Sequence, residues 1–256
     1  TVLGGYLKTN IELKELQEVT NWFHGTLAPT VFSQTNLEKV ITQGIDKGKI
    51  SKENVLSILK KADFNISDII IERKKEPISE DILSLIKRDT TFISSEQDKK
   101  EILQEKAISV VNLELEHEVN DIKYSLPFEE ESQGTKRYYG FAGLLALLLS
   151  RSSVMPIDEL ESSLHPDLYL HFMLSFLLNA KNSQVIATTH NREILDNKDI
   201  FRDDAIWFTD KSEGSATQLY SLADFGSTVT RANILNAYKA GALSAIPNLG
   251  DTYIDL

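Results

Sequence analysis

The amino-acid sequence predicts an α/β protein in which a mainly helical segment, residues 1–105, precedes a sheet flanked by helices in residues 106–256. Amphipathic helical patterns dominate the first segment, whereas helices alternate with apolar strands in the second. Such alternation is typical of a largely parallel sheet covered on both faces. In addition, the apolar runs at residues 153–158 and 183–190 end in polar side chains. Ligands of parallel sheets bind at such strand ends.

The first segment contains three predicted helices, each with an N-cap residue followed by apolar residues at helical spacing. They cover residues 35–48, 51–63 and 77–89. Between the second and third helices, the sequence NISDIIIERKK (residues 65–75) indicates a short strand. The polar run over residues 89–106 is typical of an exposed connection. We find no catalytic pattern in this segment.

The second segment opens with alternating apolar and polar residues, which predict a strand at 107–119 and a partner strand at 121–128. The remaining predicted elements are helices at 134–151 and 167–180 and strands at 153–158, 183–190, 204–210 and 215–222. Asp158, Glu159 and His190 follow two of these strands. If those strands are parallel, the three side chains lie at the same edge of the sheet.

The composition excludes several classes of site. The chain has no cysteine, which rules out disulfides, thiolate metal ligands and a cysteine nucleophile, and which fits a reducing compartment such as the cytoplasm. A net charge of −11 argues against a broadly basic surface that wraps nucleic acid, although a local basic groove is compatible with it. The apolar stretch GFAGLLALLLS, residues 140–150, is shorter than the ~18 residues of a membrane span, so we expect no membrane contact.

Two adjacent carboxylates, Asp158 and Glu159, follow the apolar strand in VMPIDELESSLHPDL. A hard cation such as Mg²⁺ binds one or two carboxylates together with phosphate oxygens and water. A carboxylate beside the metal ligand can orient an attacking water. These residue types fit a metal ligand at Asp158 and a general base at Glu159. The alternative is that both simply favour the positive end of the following helix.

Two further groups suit an anion. His190 ends the strand QVIATTH, where its ring could contact a terminal phosphate or the attacking water, or serve as a structural hydrogen-bond donor. The sequence EEESQGTKRYYGF (residues 129–141) opens a long helix with Ser132, Gly134 and Thr135. Backbone N–H groups and a hydroxyl at a helix start receive anions. Plain N-capping by Ser132 or Thr135 would explain the same residues without a ligand.

Together these elements resemble the head of ATP-binding-cassette (ABC-type) ATPases that act in chromosome maintenance and double-strand-break repair. ESQGTKR resembles the signature motif, VMPIDE the Walker B strand, SSLH (residues 162–165) the D-loop and IATTH the switch-histidine strand. Their order and spacing match the family over residues 129–196, with weaker similarity to 222. The resemblance implies the C-terminal part of an ABC-type P-loop ATPase sheet. It also implies that ATP and Mg²⁺ bind between subunits of a head-to-tail dimer or higher oligomer.

The resemblance implies roles for individual residues. Asp158 would hold Mg²⁺, Glu159 would be the catalytic base and His190 would contact the γ-phosphate. The nucleotide-contacting residues of the signature and D-loop would be Ser132, Gly134, Thr135, Lys136, Ser163 and His165. The signature residues would reach the nucleotide bound by the opposite subunit, whereas the D-loop residues would lie at the dimer interface.

A narrower resemblance is to stand-alone prokaryotic ATPases of phage-defence and abortive-infection systems, including those paired with retrons or separate nucleases. It rests on EESQGTKR, IDELESSLHP and the tail ANILNAYKAGALSAIPNLG. It implies an ATPase of an anti-phage or DNA-maintenance complex that controls a separate effector such as a nuclease, with a nucleic acid or phage-derived trigger. The alternative is a nucleotide-sensing scaffold with little turnover that sequesters or activates the effector. A chain that is itself a nuclease is disfavoured, because little sequence follows the last predicted strand.

The sequence departs from the family pattern in several places. No G-x-x-x-x-G-K-[ST] loop is present, and GIDKGKIS from Gly44 lacks its spacing and its final Ser or Thr. We therefore expect a P-loop supplied by residues outside this chain, with residues 1–105 as an insertion before the signature. No glutamine loop can be placed. Pro156 removes one backbone donor from the predicted Walker B strand, which predicts a local irregularity or an edge strand. His165 stands where many cassette ATPases carry Asp.

Overall fold

The computed structural model describes residues 1–9, 11–62, 64–88, 96–197, 199–211, 216–228 and 233–247. These residues form two compact units, one over residues 1–187 and the other from residue 188 onward. The first unit contains both the predicted helical segment and the signature and Walker B motifs.

Helices dominate the beginning of the first unit, as predicted. They are α1 (Val2–Tyr6), α2 (Lys14–Gly25), α3 (Leu37–Asp46) and α4 (Lys52–Lys61). Asn36 and Ser51 cap α3 and α4 by accepting the N–H groups of Lys39 and Asn54. These caps explain why both helices begin where the sequence predicts.

Three strands and two helices follow. β1 (Ile66–Pro77) precedes α5 (Glu80–Arg88) and α6 (Glu96–Glu105), and β2 (Ala107–Val119) and β3 (Ile122–Pro127) come next. β1 has twelve residues and lies within two residues of the strand predicted at 65–75. Within the connection predicted at 89–106, residues 96–105 form a helix, α6, whereas residues 89–95 lie outside the described residues.

The three strands form an antiparallel sheet in the order β1-β2-β3. The apolar residues Ile69 and Ile71 of β1 face Leu115 and Leu113 of β2 in the register. β-Branched runs of this kind favour strands because they pack well on a pleated surface. β1 thus pairs with β2 across residue 105, and both strands belong to the first compact unit.

The rest of the first unit alternates helix and strand. Its elements are α7 (Gln133–Ser150), β4 (Val154–Ile157), α8 (Pro166–Asn179) and β5 (Gln184–Ala187). β4 and β5 are parallel, with Val154 beside Gln184 and Ile157 beside Ala187. All four elements lie within a few residues of their predicted positions.

β4 has a second parallel neighbour that the sequence analysis did not predict. Residues 26–31 run along its other side, where Leu27 bridges Val154 and Val31 bridges Ile157. β4 is therefore not an edge strand. The segment advances by four residues where β4 advances by three, so the extra residue forms an irregularity opposite Pro156, which has no N–H to donate. Of the two alternatives for Pro156, the local irregularity is the observed one.

The core of the first unit surrounds α7. Gly140 and Gly143 lie on the face of this helix that meets α3. A Cβ atom at Gly140 would lie 2.6 Å from the Cβ of Leu37, and one at Gly143 would overlap three side-chain atoms of Ile41. The two helices pack this closely because neither glycine has a side chain.

Two buried tyrosines fix the other contacts of α7. The hydroxyl of Tyr139 shares a hydrogen bond of 3.1 Å with Thr42 on α3. The hydroxyl of Tyr138 lies 2.6 Å from Nδ1 of His171 on α8. Burial raises the pKa of Tyr139 to about 12 and also raises that of Tyr138. Both phenols are therefore neutral hydrogen-bonding groups at physiological pH.

The second unit contains an antiparallel hairpin and a short helix. β6 (Trp207–Lys211) pairs with β7 (Thr217–Ser221), and α9 (Ile234–Lys239) follows. Its core is formed by Leu195, Phe208, Leu222, Ile234 and Leu243. Both strands match predicted ones, and they pair antiparallel with each other.

The predicted α/β class is confirmed. Among the described residues, however, the parallel part is limited to β4, β5 and residues 26–31, while the longer strands are antiparallel. In the same part of the chain, no helix has the combined length and apolarity that crossing a bilayer requires.

We expect Gly143→Ala to lower the free energy of unfolding by about 1–3 kcal/mol, because the added methyl overlaps the branched side chain of Ile41. Urea titration followed by circular dichroism measures this change. Gly25→Ala is the matched control, since a Cβ there meets nothing within 4 Å. In the double variant Gly143→Ala/Ile41→Ala, the smaller side chain should recover part of the unfolding free energy that Gly143→Ala loses. If the losses of the two single variants simply add in the double variant, the proposed overlap is wrong.

Candidate functional site

The signature residues form the first turn of α7. Ser132 is the N-cap, and its Oγ accepts the N–H of Thr135 at 3.0 Å. The two hydroxyls of Ser132 and Thr135 are also bonded to each other, at 2.8 Å. Thr135 is buried while Ser132 is exposed. The predicted N-cap is therefore present, and Thr135 holds the exposed serine hydroxyl in place.

The backbone at Gly134 is open. A Cβ atom built there would have Ser132 Oγ as its nearest neighbour, at 3.7 Å, which is an ordinary contact. This differs from Gly140 and Gly143, where packing requires glycine. The fold thus leaves free space over the first turn of α7, where the N–H groups of a helix have no intrahelical partners.

Charges around this turn are mixed. The Lys136 ammonium donates to the backbone oxygen of Glu129 at 2.7 Å. Burial, together with the nearby Glu129 carboxylate, raises the pKa of Glu38, whereas Lys136 opposes that shift. Lys136 therefore offsets the acidic residues that precede the helix.

Arg137 connects the start of α7 with the segment beside β4. Its Nη1 donates to the backbone oxygen of Ser33 at 3.1 Å, and its guanidinium lies 4.7 Å from the ring centre of Phe141. Burial lowers the pKa of Arg137. Within the described residues its Nε and Nη2 atoms are buried without a hydrogen-bond partner.

The two predicted catalytic carboxylates follow β4 directly. The N–H of Asp158 continues the parallel pairing by donating to Val31 O at 2.8 Å. Asp158 and Glu159 are both partly buried. Glu159 then leaves the strand conformation with a positive φ of 48°. Few non-glycine residues adopt this conformation, and it is often found at functional sites.

The predicted D-loop is a tight turn between β4 and α8. The carbonyl oxygen of Glu159 accepts the N–H of Ser162 at 2.9 Å, and Leu160 between them is fully buried. Ser163 also has a positive φ, 62°, and its side chain is exposed. The buried leucine anchors this turn, while Ser163 faces solvent.

His165 caps α8. Its Nδ1 accepts the N–H of Asp167 at 3.3 Å, and Pro166 occupies the first helical position. Pro suits this position because its missing N–H is not needed there. The cap gives His165 a structural role in addition to the interface role implied by the resemblance.

His190 lies three residues beyond β5 and belongs to the second unit. Its side chain is exposed. The residue after it, Asn191, donates its N–H to Thr189 Oγ1 and accepts the N–H of Glu193. The predicted approach of His190 to Glu159 stays a prediction.

No three His, Asp or Glu side chains of the described residues are grouped closely enough to hold a metal ion by themselves. A cation at Asp158 would therefore need most of its ligands from phosphate and water, as is common for Mg²⁺. Asp158 fits such a site as a single protein carboxylate.

Residues 37–196, more than half of the chain, match the protein family described as "AAA domain, putative AbiEii toxin, Type IV TA system". The chain belongs to this family. The match covers α3 through the residues after His190, and so includes the signature, Walker B and D-loop positions. It confirms the predicted resemblance to abortive-infection ATPases, and with it a nucleotide-binding domain of the ATPase class.

Among solved structures, this AbiEii-like AAA domain is similar to one described as the crystal structure of the SmcHead bound to the C-winged helix domain of ScpA. The two share 13% sequence identity, and the TM-score is 0.47. The alignment covers 80% of this chain but 60% of that one, which is less than two thirds of its length. Among curated proteins, none matches the chain significantly.

Several residues around the AAA-domain site are not predicted by the sequence patterns. The strand-like segment at 26–31 was overlooked because Pro29 interrupts its apolar pattern. The signature resemblance gives Arg137 no role, although an arginine at the start of an otherwise apolar helix is a signal of a buried polar contact.

We expect Ser163→Gly to be more stable than Ser162→Gly by about 1 kcal/mol, although the two serines are neighbours. Ser163 has a left-handed backbone conformation, which glycine adopts without strain. Ser162 does not have a positive φ, so glycine relieves no strain there. A difference in melting temperature of about 2–4 °C would follow. Equal melting temperatures would show that the turn does not have the described backbone.

Proposed function

We propose that this chain supplies the signature, Walker B and D-loop parts of an ATP-hydrolysing site that closes between two head-to-tail subunits. The observation that carries this proposal is the open first turn of α7 at Gly134. Packing does not demand glycine there, whereas a nucleotide phosphate approaching the backbone would. Exposed Ser132, oriented by Thr135, adds a hydroxyl at the same place.

The carboxylates at the end of β4 would act on the nucleotide of the same subunit. Asp158, held by its backbone bond to Val31, would be the magnesium ligand. Glu159 would accept a proton from the attacking water, and its left-handed backbone turns its side chain away from the strand direction. Mg²⁺, when bound, neutralises phosphate charge. His190 would contact the γ-phosphate.

The P-loop would come from residues outside this sequence. β5 supports this proposal, because among the described residues it pairs only with β4. Ile186 on β5 is 53% exposed, although strands of parallel sheets are usually covered on both faces. A further parallel strand would pair with the open edge of β5 and could carry the phosphate-binding loop, and the helix that follows it would cover Ile186.

ATP-driven closure would control a separate effector, such as a nuclease, in an anti-phage or DNA-maintenance complex. The toxin–antitoxin description of the matched family supports a partner of this kind. A nucleic acid or phage-derived molecule would be the trigger, and retron-type systems are one setting for such a pair. A chain without cysteine suits the reducing cytoplasm, which we propose as its location.

We expect Glu159→Gln to lower kcat for ATP at least 100-fold, because the amide cannot accept the proton of the attacking water. The variant should accumulate as an ATP-bound dimer, measured by size-exclusion chromatography with light scattering. The assay uses protein that includes the P-loop segment, and Glu76→Gln at the exposed end of β1 is the control. Retained turnover would refute the assignment of Glu159 as the base. No turnover in the wild type would favour the nucleotide-sensing scaffold instead.

We expect Gly134→Ala to leave the melting temperature unchanged or slightly higher, since the methyl meets no close neighbour and alanine favours helices. ATP-driven dimerisation should nevertheless fall, because the methyl fills the space over the helix start. Gly25→Ala, also in open space, should change neither property. If Gly134→Ala dimerises normally with ATP, the first turn of α7 does not contact the nucleotide.

A further inference from the structure

We propose that the antiparallel sheet sets the ATP affinity of the signature segment through one hydrogen bond, between His117 and Glu131. This inference rests on the proposed ATPase function. His117 and Glu131 are positioning residues, because neither belongs to the nucleotide-contacting set. They would act by fixing Ser132, which follows Glu131 directly and is the N-cap of α7.

The bond joins the middle strand of the sheet to the loop before the signature. Nε2 of His117, on β2, lies 2.6 Å from Oε1 of Glu131. The side chains are only 13% and 5% exposed, respectively. The imidazole also stacks on Tyr124 of β3, with ring centres 5.4 Å apart and planes 14° apart. Its orientation is therefore determined by the sheet.

A buried carboxylate needs a hydrogen-bonding partner, because its desolvation is costly otherwise. If His117 is replaced by a residue without a ring nitrogen, the Glu131 carboxylate loses this hydrogen bond, and moving into water lowers its free energy. Glu131 is extended, with φ −65° and ψ 156°, and it is the last residue before the cap. A rotation of its backbone would shift Ser132 and the N–H groups behind it.

The other side of the loop is already fixed. Phe128 is buried, and its ring packs edge-on against Tyr139 of α7 at 5.2 Å. The N–H of Glu131 donates to the carbonyl oxygen of Phe128 at 3.1 Å. Because packing against α7 holds the loop at Phe128, the His117–Glu131 bond determines where the loop lies at Glu131. A partner that displaces the sheet would therefore change the affinity for ATP.

The primary test measures ATP-driven dimerisation of His117→Phe in protein that includes the P-loop segment. Phenylalanine keeps the stacking on Tyr124 but lacks the nitrogen, and we expect the ATP concentration for half-maximal dimerisation to rise at least tenfold. His117→Gln, which keeps an N–H donor, should restore most of the affinity. Lys123→Met is the matched control, because it breaks the 2.9 Å contact with Glu116 on the same sheet without touching the loop.

Mixed dimers separate positioning from general damage. Glu159→Gln disables the site formed by its own Walker B carboxylate, whereas a displaced signature disables the site on the opposite subunit. In a mixed dimer, the Walker B carboxylate of the His117→Phe subunit meets the undisturbed signature of the Glu159→Gln subunit, which gives one intact site. Mixing the two inactive preparations should therefore restore turnover at limiting ATP. Absence of restored turnover would overturn the proposal, as would unchanged ATP affinity in His117→Phe.

These outcomes are distinct from failure of the proposed function itself. A wild-type protein that neither dimerises with ATP nor hydrolyses it would remove the ATPase proposal, and this inference with it. A wild type that does both, beside a His117→Phe variant that behaves identically, would remove only the role of the sheet.

Discussion

The close approach of α3 to α7 at Gly140 and Gly143 is the contact on which the rest of the first unit depends. Leu37 and Ile41 occupy the space that side chains at these glycines would fill. Because α3 follows residues 26–36 directly, its position also determines where that segment lies. The backbone bond between Val31 and Asp158 and the contact between Ser33 and Arg137 both need it there. The contact between α3 and α7 therefore positions both the carboxylates after β4 and the first turns of α7.

The local elements were largely predictable because capping and periodicity are encoded in neighbouring residues. α7 and β2 were predicted almost to the residue. The partners of the strands were less predictable. The pairing of β1 with β2 joins residues about forty positions apart, and the segment beside β4 is interrupted by Pro29. Such long-range contacts depend on how the helices pack, which a periodic pattern does not contain.

The candidate site was likewise predictable in its residues but not in its long-range contacts. Residue type and order sufficed to select Ser132, Gly134, Asp158 and Glu159, and the family match supports the class of chemistry. Residue type and order do not show that Thr135 is buried and orients Ser132. Nor could they distinguish the open Gly134 from the packed glycines of the same helix. These distinctions depend on which face of α7 meets its neighbours.

The long ribbon of β1 and β2 also has a consequence for how the first unit opens. Its strands extend roughly 40 Å, but β3 covers only the part of β2 from Glu114 to Val119. Buried Leu115 lies in that part, whereas β1 is exposed from Arg73 to Pro77. Amide hydrogens should therefore exchange slowly near Leu115 and faster toward the far end. The ribbon can open at its tip while the strand that carries His117 remains closed.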